Sequence, residues 1–133
     1  MKLFSIIVPV YNAETTLEAC VRSFYSQGYE NSAFEVLLVN DGSVDGSMSL
    51  MEKLSREYGN IVLLSQKNKG QGCARNRAIK VSQGKYLFSC DSDDKFINNS
   101  LGRIIELMER YSLEICGSIA KEYDANGNVR FGL

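Results

Sequence analysis

Hydrophobic residues are grouped along this chain in short, nearly unbroken runs that are separated by polar stretches. Continuous hydrophobicity over such short runs predicts strands that are covered on both faces, as in a parallel sheet. The runs lie at Phe4–Val10, Phe34–Val39, Ile61–Leu64 and Tyr86–Cys90, with a weaker fifth run at Leu113–Ala120.

The polar stretches between the runs carry apolar residues at the spacing of amphipathic helices. Leu17, Cys20, Val21 and Phe24 form the first stripe, and Gly28 supplies a stop signal. The later stripes are Leu50, Met51 and Leu54 before Gly59, then Ala74, Ala78 and Val81 in a helix over about Cys73–Val81, then Leu101, Ile104, Ile105 and Met108 after Ser100.

Alternating strands and helices predict an α/β fold. We expect a single domain over residues 1–133, with a doubly wound, mainly parallel sheet and helices on both faces. The tail 121–133 differs, because Asn126-Gly127 is a strong hairpin turn signal. Ile119–Tyr123 and Asn128–Phe131 are therefore expected to pair as a hairpin or at a sheet edge.

Composition excludes several classes of function. The net charge of -1 gives no support to nucleic-acid binding or to a polybasic membrane patch. Histidine is absent, so this chain has no Ser-His-Asp triad and no His-ligated zinc. The four cysteines, Cys20, Cys73, Cys90 and Cys116, are dispersed, which indicates reduced and mostly buried thiols in a cytoplasmic protein.

Asp91-Ser92-Asp93-Asp94 directly follows the fourth predicted strand. Carboxylates this close repel one another unless a cation shares them, and ligands of open α/β sheets bind at the carboxyl ends of strands. Asp91 and Asp93 project to the same side and suit Mg²⁺ or Mn²⁺, which shares its coordination shell with phosphates. The motif therefore predicts a divalent metal that holds an anionic ligand, most plausibly a nucleotide diphosphate; an acidic loop that caps the next helix is the alternative.

Two other strand ends carry candidate ligand groups. Asp41 follows the second strand and is expected to accept a hydrogen bond from a base or a sugar. Asp45 is expected to cap the helix that follows. Tyr11 follows the first strand, where its ring can cover a nucleobase or pack structurally.

The third strand is followed by Gly70 and Gly72, which allow a tight turn into a helix, and by Arg75. Arg75 lies in the first helical turn, where it can contact a phosphate or remain solvated. The stretch is neither a dinucleotide-binding fingerprint nor a P-loop, since the required last glycine and the Gly-Lys-Ser/Thr sequence are missing.

Four segments in this order resemble the family 2 glycosyltransferases, which have the nucleotide-diphospho-sugar transferase (GT-A) fold. The resemblance covers about residues 3 to 120. The segments are Ser5-Ile6-Ile7-Val8-Pro9-Val10-Tyr11-Asn12, Val39-Asn40-Asp41-Gly42-Ser43-Val44-Asp45, Asn68-Lys69-Gly70-Gln71-Gly72-Cys73-Ala74-Arg75-Asn76 and Asp91-Ser92-Asp93-Asp94.

The resemblance implies inverting transfer of a sugar from a nucleotide donor, usually a UDP-sugar, to a hydroxyl of a glycan or lipid-linked acceptor. It implies nucleotide contacts by Pro9, Val10, Tyr11, Asp41, Arg75 and Ser92, with Asp41 bonded to the base. Asp93 is the expected direct ligand of Mn²⁺ or Mg²⁺, together with Asp91.

The chain departs from the family pattern in two places. Asn40 stands where many members have a second Asp. No residue matches the family's catalytic base, so we expect a truncated chain, inactive alone, with the base beyond Leu133.

Two other functions are considered, a non-catalytic nucleotide-sugar-binding module and, less favoured, a nucleotidyltransferase. We expect a cytoplasmic location, with the inner membrane face as the alternative for a lipid-linked acceptor, and self-association through apolar surface that truncation exposes.

Overall fold

The computed structural model describes residues 1–117, 121–123 and 125–131. Backbone contacts divide the chain into two compact units, Met1–Ser100 and Leu101–Leu133. Among the described residues, no helix combines the length and the apolar composition that crossing a membrane requires.

The first unit alternates strands and helices as predicted. A short 3₁₀ helix, Asn31–Ala33, precedes the second strand. The elements are β1 (Lys2–Val10), α1 (Leu17–Phe24), β2 (Phe34–Asp41), α2 (Ser47–Tyr58), β3 (Ile61–Gln66), α3 (Gln71–Ile79) and β4 (Gly84–Ser89).

The second unit contains most of α4 (Ser100–Arg110) and a hairpin of β5 (Lys121–Tyr123) and β6 (Val129–Phe131). The two strands pair antiparallel in a two-stranded sheet of their own, and Gly127 in the turn has a φ of 80°. The predicted hairpin is therefore confirmed where it is described; residues 119, 120 and 124 lie outside the described residues. The prediction that the fifth apolar run forms a strand is wrong for residues 113–117. The rest of that run, 118–120, lies outside the described residues.

The four strands of the first unit form a parallel sheet in the order β3-β2-β1-β4. The chain moves outward from β1 to β3 and then returns to place β4 on the other side of β1. Right-handed crossovers consequently place α3 on the face opposite α1 and α2. The predicted doubly wound parallel sheet is confirmed, and its strand order reverses beside β1, where ligands bind in such sheets.

Apolar side chains from β1 and β2 form the centre of the core. Ile7, Leu37 and Val39 pack with Ala74 and Ala78 of α3. The small alanine side chains let the helix approach the sheet closely. On adjacent strands, the register partners Phe4 and Phe34 stack with their ring centroids 4.9 Å apart.

The outer strands are less covered than their apolar runs predict. In β4, alternate residues are exposed, and Leu87 retains 47% of its surface. In β3, Val62 is also exposed. The expectation of strands covered on both faces is thus wrong for these two, because α3 packs mainly on β1 and β2.

Two smaller predictions need correction. The third helix begins and ends two residues earlier than predicted, so Val81 lies beyond its end and is 49% exposed. Among the cysteines, which are all free thiols, Cys20 and Cys90 are buried but Cys73 and Cys116 are exposed.

A buried polar cluster fixes the start of β4 against β1 and β2. Ser5 Oγ donates to Glu35 Oε1 at 2.6 Å, and the backbone N–H of Gln83 donates to the same oxygen at 2.6 Å. The N–H of Gly84 donates to Ser5 Oγ at 2.8 Å. This approach leaves no room for a side chain at Gly84, since a Cβ atom there would collide with the backbone of Phe4 and Ser5.

Gly84→Ala is therefore expected to lower the free energy of unfolding by roughly 1–3 kcal/mol, because backbone atoms cannot move aside as a flexible side chain can. Gly72→Ala is the matched control: a Cβ atom there meets nothing within 4 Å, and its position in α3 favours alanine. Urea unfolding of both variants measures the difference. Equal stability of the two variants would contradict the packing argument.

Candidate functional site

A cleft of about 320 Å³ lies at the carboxyl ends of the strands in the first unit. It contains five of the residues predicted to contact a nucleotide. The residues that line it are Pro9, Val10, Tyr11, Asp41, Asn68, Gly70, Gln71 and Ser92. Residues at or just beyond the ends of all four strands thus converge where the strand order reverses.

Asp41 ends β2 and is only 4% exposed. Its Oδ1 accepts hydrogen bonds from Gln66 Nε2 and from the Lys69 backbone N–H, both at 2.8 Å. Its Oδ2 accepts one from the Gly70 N–H at 3.0 Å. Burial alone would raise the pKa of the Asp41 carboxyl, but the bonds from Gln66, Lys69 and Gly70 outweigh it and lower the pKa. The carboxylate is therefore ionised and fixed.

The loop after β3 lies against Gly42, which has a φ of 78°. A Cβ atom at Gly42 would be 2.8 Å from the backbone N of Asn68. This close approach explains the glycine after Asp41, because a side chain would displace the loop that lines the cleft.

The loop after β1 is bonded to the loop after β2 by reciprocal side-chain to backbone contacts. The Asn12 N–H donates to Ser43 Oγ at 3.0 Å, and Asn12 Oδ1 accepts from the Val44 N–H at 2.9 Å. Glu14 Oε2 accepts from the Gly46 N–H at 2.7 Å. These bonds fix the backbone beside Tyr11, whose side chain is half exposed at the cleft.

Asp45 lies in the turn between β2 and α2, as predicted, but it is not the N-cap residue: Gly46 is, so the expected cap is corrected to a turn hydrogen bond one residue earlier. Its Oδ1 accepts from the Ser47 N–H at 2.9 Å, at the first residue of α2, and its Oδ2 accepts from the Glu14 N–H at 3.3 Å. The hydrogen bond with Ser47 is the main cause of a lowered pKa of Asp45. Asp45 does not line the cleft described above.

The acidic motif brings together carboxylate oxygens of Asp91, Asp93 and Asp94 within 4.8 Å of one another. Partial burial and then the charges of Asp93 and Asp91 raise the pKa of Asp94. Three oxygen donors at this spacing fit Mg²⁺ or Mn²⁺. The chemistry of the cluster is thus compatible with the predicted metal, which stays a prediction.

Arg75 contacts the acidic motif directly. Its Nη2 lies 2.7 Å from Asp91 Oδ1, and its Nε donates to Ser89 Oγ at 3.0 Å. Nη2 also donates to Gln71 Oε1 at 3.3 Å. The sequence predicted a contact with a nucleotide and did not reveal this ion pair, which occupies one oxygen of the proposed metal ligand Asp91.

Two buried thiols lie below the start of the acidic motif. The Sγ atoms of Cys20 and Cys90 are 4.0 Å apart, and each is 3.5 Å from the Asp91 carbonyl oxygen. The contact with Cys90, followed by burial, raises the pKa of Cys20, so this thiol stays protonated. The pair links α1 to the end of β4 at the acidic motif.

With this geometry established, the comparison with known proteins is decisive. The model of glycosyl transferase family 2 matches residues 5–132. The chain belongs to this family. Its match selects the glycosyltransferase interpretation over the nucleotidyltransferase, and the resemblance expected from the four segments is confirmed.

Several relatives of this family 2 domain are glycosyltransferases. Glycosyltransferase GlyG of Streptococcus pneumoniae is 31% identical over 132 residues, which cover 98% of this chain and 43% of that protein. Poly(ribitol-phosphate) beta-glucosyltransferase of Bacillus spizizenii is 34% identical over 101 residues, which cover 74% of this chain and 16% of that protein. The chain spans 16% to 51% of the length of the curated relatives it matches.

Solved glycosyltransferase structures share the fold. The crystal structure of S. aureus TarS 1-349 in complex with UDP-GlcNAc has a TM-score of 0.75 and 33% identity, over 84% of this chain and 32% of that chain. A mannosyltransferase from Pyrobaculum calidifontis has a TM-score of 0.75 at 23% identity, which shows the fold alone. The predicted GT-A fold is therefore confirmed.

The structure brings most of the predicted site residues of this family 2 domain together, but their roles stay predictions. Pro9, Val10, Tyr11, Asp41 and Ser92 line the cleft, and Arg75, Asp91 and Asp93 form the adjoining charged group. Sequence reasoning did not assign a ligand contact to Asn68, Gly70 or Gln71, which also line the cleft. The available signal was their position between the end of β3 and the first residue of α3, in one of the four segments that carry the family resemblance.

Asp41→Asn is expected to lower the free energy of unfolding near neutral pH by roughly 1–3 kcal/mol, because an amide cannot accept all the bonds that the carboxylate accepts. The depressed pKa of Asp41 contributes stability above its unfolded value, and this stability is lost as the pH falls through the folded value. The difference from wild type should therefore shrink below about pH 4. Urea unfolding at several pH values measures it, with Glu52→Gln on α2 as the exposed control; a difference independent of pH would contradict this assignment.

Asp45→Ala is expected to lower the free energy of unfolding and to leave nucleotide affinity unchanged. The reason is that Asp45 accepts hydrogen bonds from the backbone N–H groups of Ser47 and Glu14, away from the cleft lining. Thermal unfolding and calorimetric titration measure the two effects separately. Loss of nucleotide binding by a folded variant would contradict a purely structural role for Asp45.

Proposed function

We propose that this chain binds a nucleotide-diphospho-sugar of the UDP-sugar class, for inverting transfer of the sugar to a hydroxyl acceptor. The main support is that Tyr11, Asp41 and Ser92 line one cleft at the strand ends. A fold neighbour with 33% identity is described in complex with UDP-GlcNAc. The proposal concerns the donor half of the reaction; transfer itself is proposed for the whole protein.

The base is proposed to occupy the part of the cleft between Tyr11 and Asp41. The Asp41 carboxylate is fixed, ionised and an acceptor only, so it suits a base edge that presents an N–H group. The half-exposed ring of Tyr11 offers a face on which a base can stack. Pro9 and Val10 contribute the adjoining wall.

The diphosphate is proposed to lie at the acidic end, beside Ser92. Asp93 would hold Mn²⁺ or Mg²⁺, with Asp91 and Asp94 beside it. When bound, such an ion stabilises the negative charge of a departing diphosphate. Arg75 already pairs with Asp91 and places a second positive charge at the same end of the cleft.

The acceptor is proposed to be a glycan or a lipid-linked glycan, and the location to be cytoplasmic. The proposal assigns deprotonation of the acceptor to none of the described residues. The expected catalytic base, like the inverting outcome, belongs to the proposal for the whole protein.

Calorimetric titration of the chain with UDP, GDP and dTDP, with Mn²⁺ or with a chelator, tests donor binding. We expect one nucleotide to bind in a metal-dependent manner. Asp93→Asn should weaken this binding by roughly 10-fold or more, since it removes a proposed ligand charge and even the loss of an outer-shell partner of a metal has an effect of that size. Glu52→Gln, an exposed carboxylate on α2, is the control and should bind as wild type. Equal affinity with Mn²⁺ and with chelator would remove the metal from the proposal, and no binding of any nucleotide would overturn it.

A further inference from the structure

Gln66 is the last residue of β3 and lies opposite Asp41 in the parallel register of β2 and β3. Its Nε2 donates to Asp41 Oδ1 at 2.8 Å. The side chain does not line the cleft, and its hydrogen bond to Asp41 is the contact that connects it to a residue that does.

The three donors around Asp41 are unequally distributed over its two oxygens. Among the residues that the structure describes, Oδ1 accepts from Gln66 Nε2 and from the Lys69 N–H, whereas Oδ2 accepts only from the Gly70 N–H. A carboxylate offers about four acceptor positions, two on each oxygen. The remaining acceptor position is therefore on Oδ2.

We infer that Gln66 is a positioning residue for the donor nucleotide. Its hydrogen bond fills the last acceptor position on Oδ1 of Asp41 and so leaves Oδ2 to accept an N–H group of the base. This inference rests on the proposed function, in which Asp41 binds the base. The backbone donors of Lys69 and Gly70 belong to the loop that the carboxylate also orders. Gln66 is the one side chain among the three donors, so its substitution separates ligand positioning from loop formation.

The hydrogen bond from Gln66 also favours the ionised form of Asp41, and hydrogen bonds rather than a neighbouring cation lower the pKa of this carboxyl. Charged or titratable side chains that follow the strand ends around Asp41, or begin the next helix, include Tyr11 and Glu14 after β1, Asp45 after β2, Lys67 and Lys69 after β3, Cys73 and Arg75 on α3, and Asp91, Asp93 and Asp94 after β4. All of them are the same in wild type and in Gln66 variants. The ratio of a variant's dissociation constant to that of wild type therefore isolates Asp41 and residue 66.

The test compares wild type with Gln66→Met and Gln66→Glu, with UDP-GlcNAc and Mn²⁺ as the probe. The phosphates of this probe do not titrate in the mildly acidic range. Dissociation constants are measured by calorimetry from about pH 7 down to about pH 4, close to the ordinary pKa of an Asp carboxyl. Thermal unfolding checks that each variant is folded, and Ser65→Ala, at the exposed preceding residue, should bind as wild type.

Gln66→Met removes the donor while keeping a similar length. Affinity should fall by roughly 3–10-fold near neutral pH, as expected for one lost hydrogen bond. The ratio of the variant's dissociation constant to that of wild type should increase as the pH falls, because Asp41 in the variant protonates at a higher pH than in wild type.

Gln66→Glu places a second carboxylate opposite Asp41, so the loss near neutral pH should be larger than for Gln66→Met. For Gln66→Glu, the ratio of the dissociation constants should fall towards 1 as the pH falls, because a protonated Glu donates a hydrogen bond to Asp41 as Gln66 does. Opposite pH trends of two variants at one position are not expected from a purely structural role.

Wild-type affinity at every pH for both variants would overturn the inference. A weakening of both variants by pH-independent factors would also overturn it, because Gln66 would then act only on the loop. If one variant does not fold, the pH trend of the other still decides between these outcomes. Absence of UDP-GlcNAc binding by wild type overturns the proposed function and this inference together, and is thereby distinguished from failure at Gln66 alone.

Discussion

The Asp41 carboxylate is the interaction on which the cleft depends. It ends the second strand, is almost fully buried, and accepts hydrogen bonds from N–H groups of Gln66, Lys69 and Gly70. An unpaired buried carboxylate is costly, whereas one with several donors is stable and ionised. The same bonds draw the loop after β3 across the strand ends, where Asn68 and Gly70 form a wall of the cleft. One buried charge therefore both shapes the cleft and supplies an acceptor to it.

The opposite wall is fixed by a different means. Asn12 and Glu14 exchange hydrogen bonds with the loop after β2, including its residues Ser43 and Gly46. Backbone groups beyond a strand end have lost their ladder partners, and here side chains of the neighbouring loop replace them. The loop that carries Tyr11 is consequently ordered before any ligand arrives. A cleft with both walls fixed in this way loses little conformational entropy when a nucleotide binds.

The sequence allowed the fold and much of the site to be predicted because their signals are local. Apolar runs located the strands, and helical spacing located the stripe from Leu17 to Phe24, which is buried as expected. The exposure of Leu87 was not predictable, since it depends on which strands α3 covers and not on β4 itself. The pairing of Arg75 with Asp91 was likewise hidden, because two residues 16 positions apart are joined only by the crossover between β3 and β4. Roles that depend on distances across the fold were therefore the ones missed.

The Arg75 pair also explains how the acidic motif is tolerated in the folded chain. Three carboxylates in close proximity raise the free energy of the native state, and the raised pKa of Asp94 reports this repulsion after the effect of partial burial. Arg75 offsets the charge of Asp91, and Ser89 holds the guanidinium in place. Asp93 and Asp94 remain as adjacent negative charges that a divalent cation would stabilise further. The pairing thus reduces the repulsion within the motif without neutralising all of its negative charge.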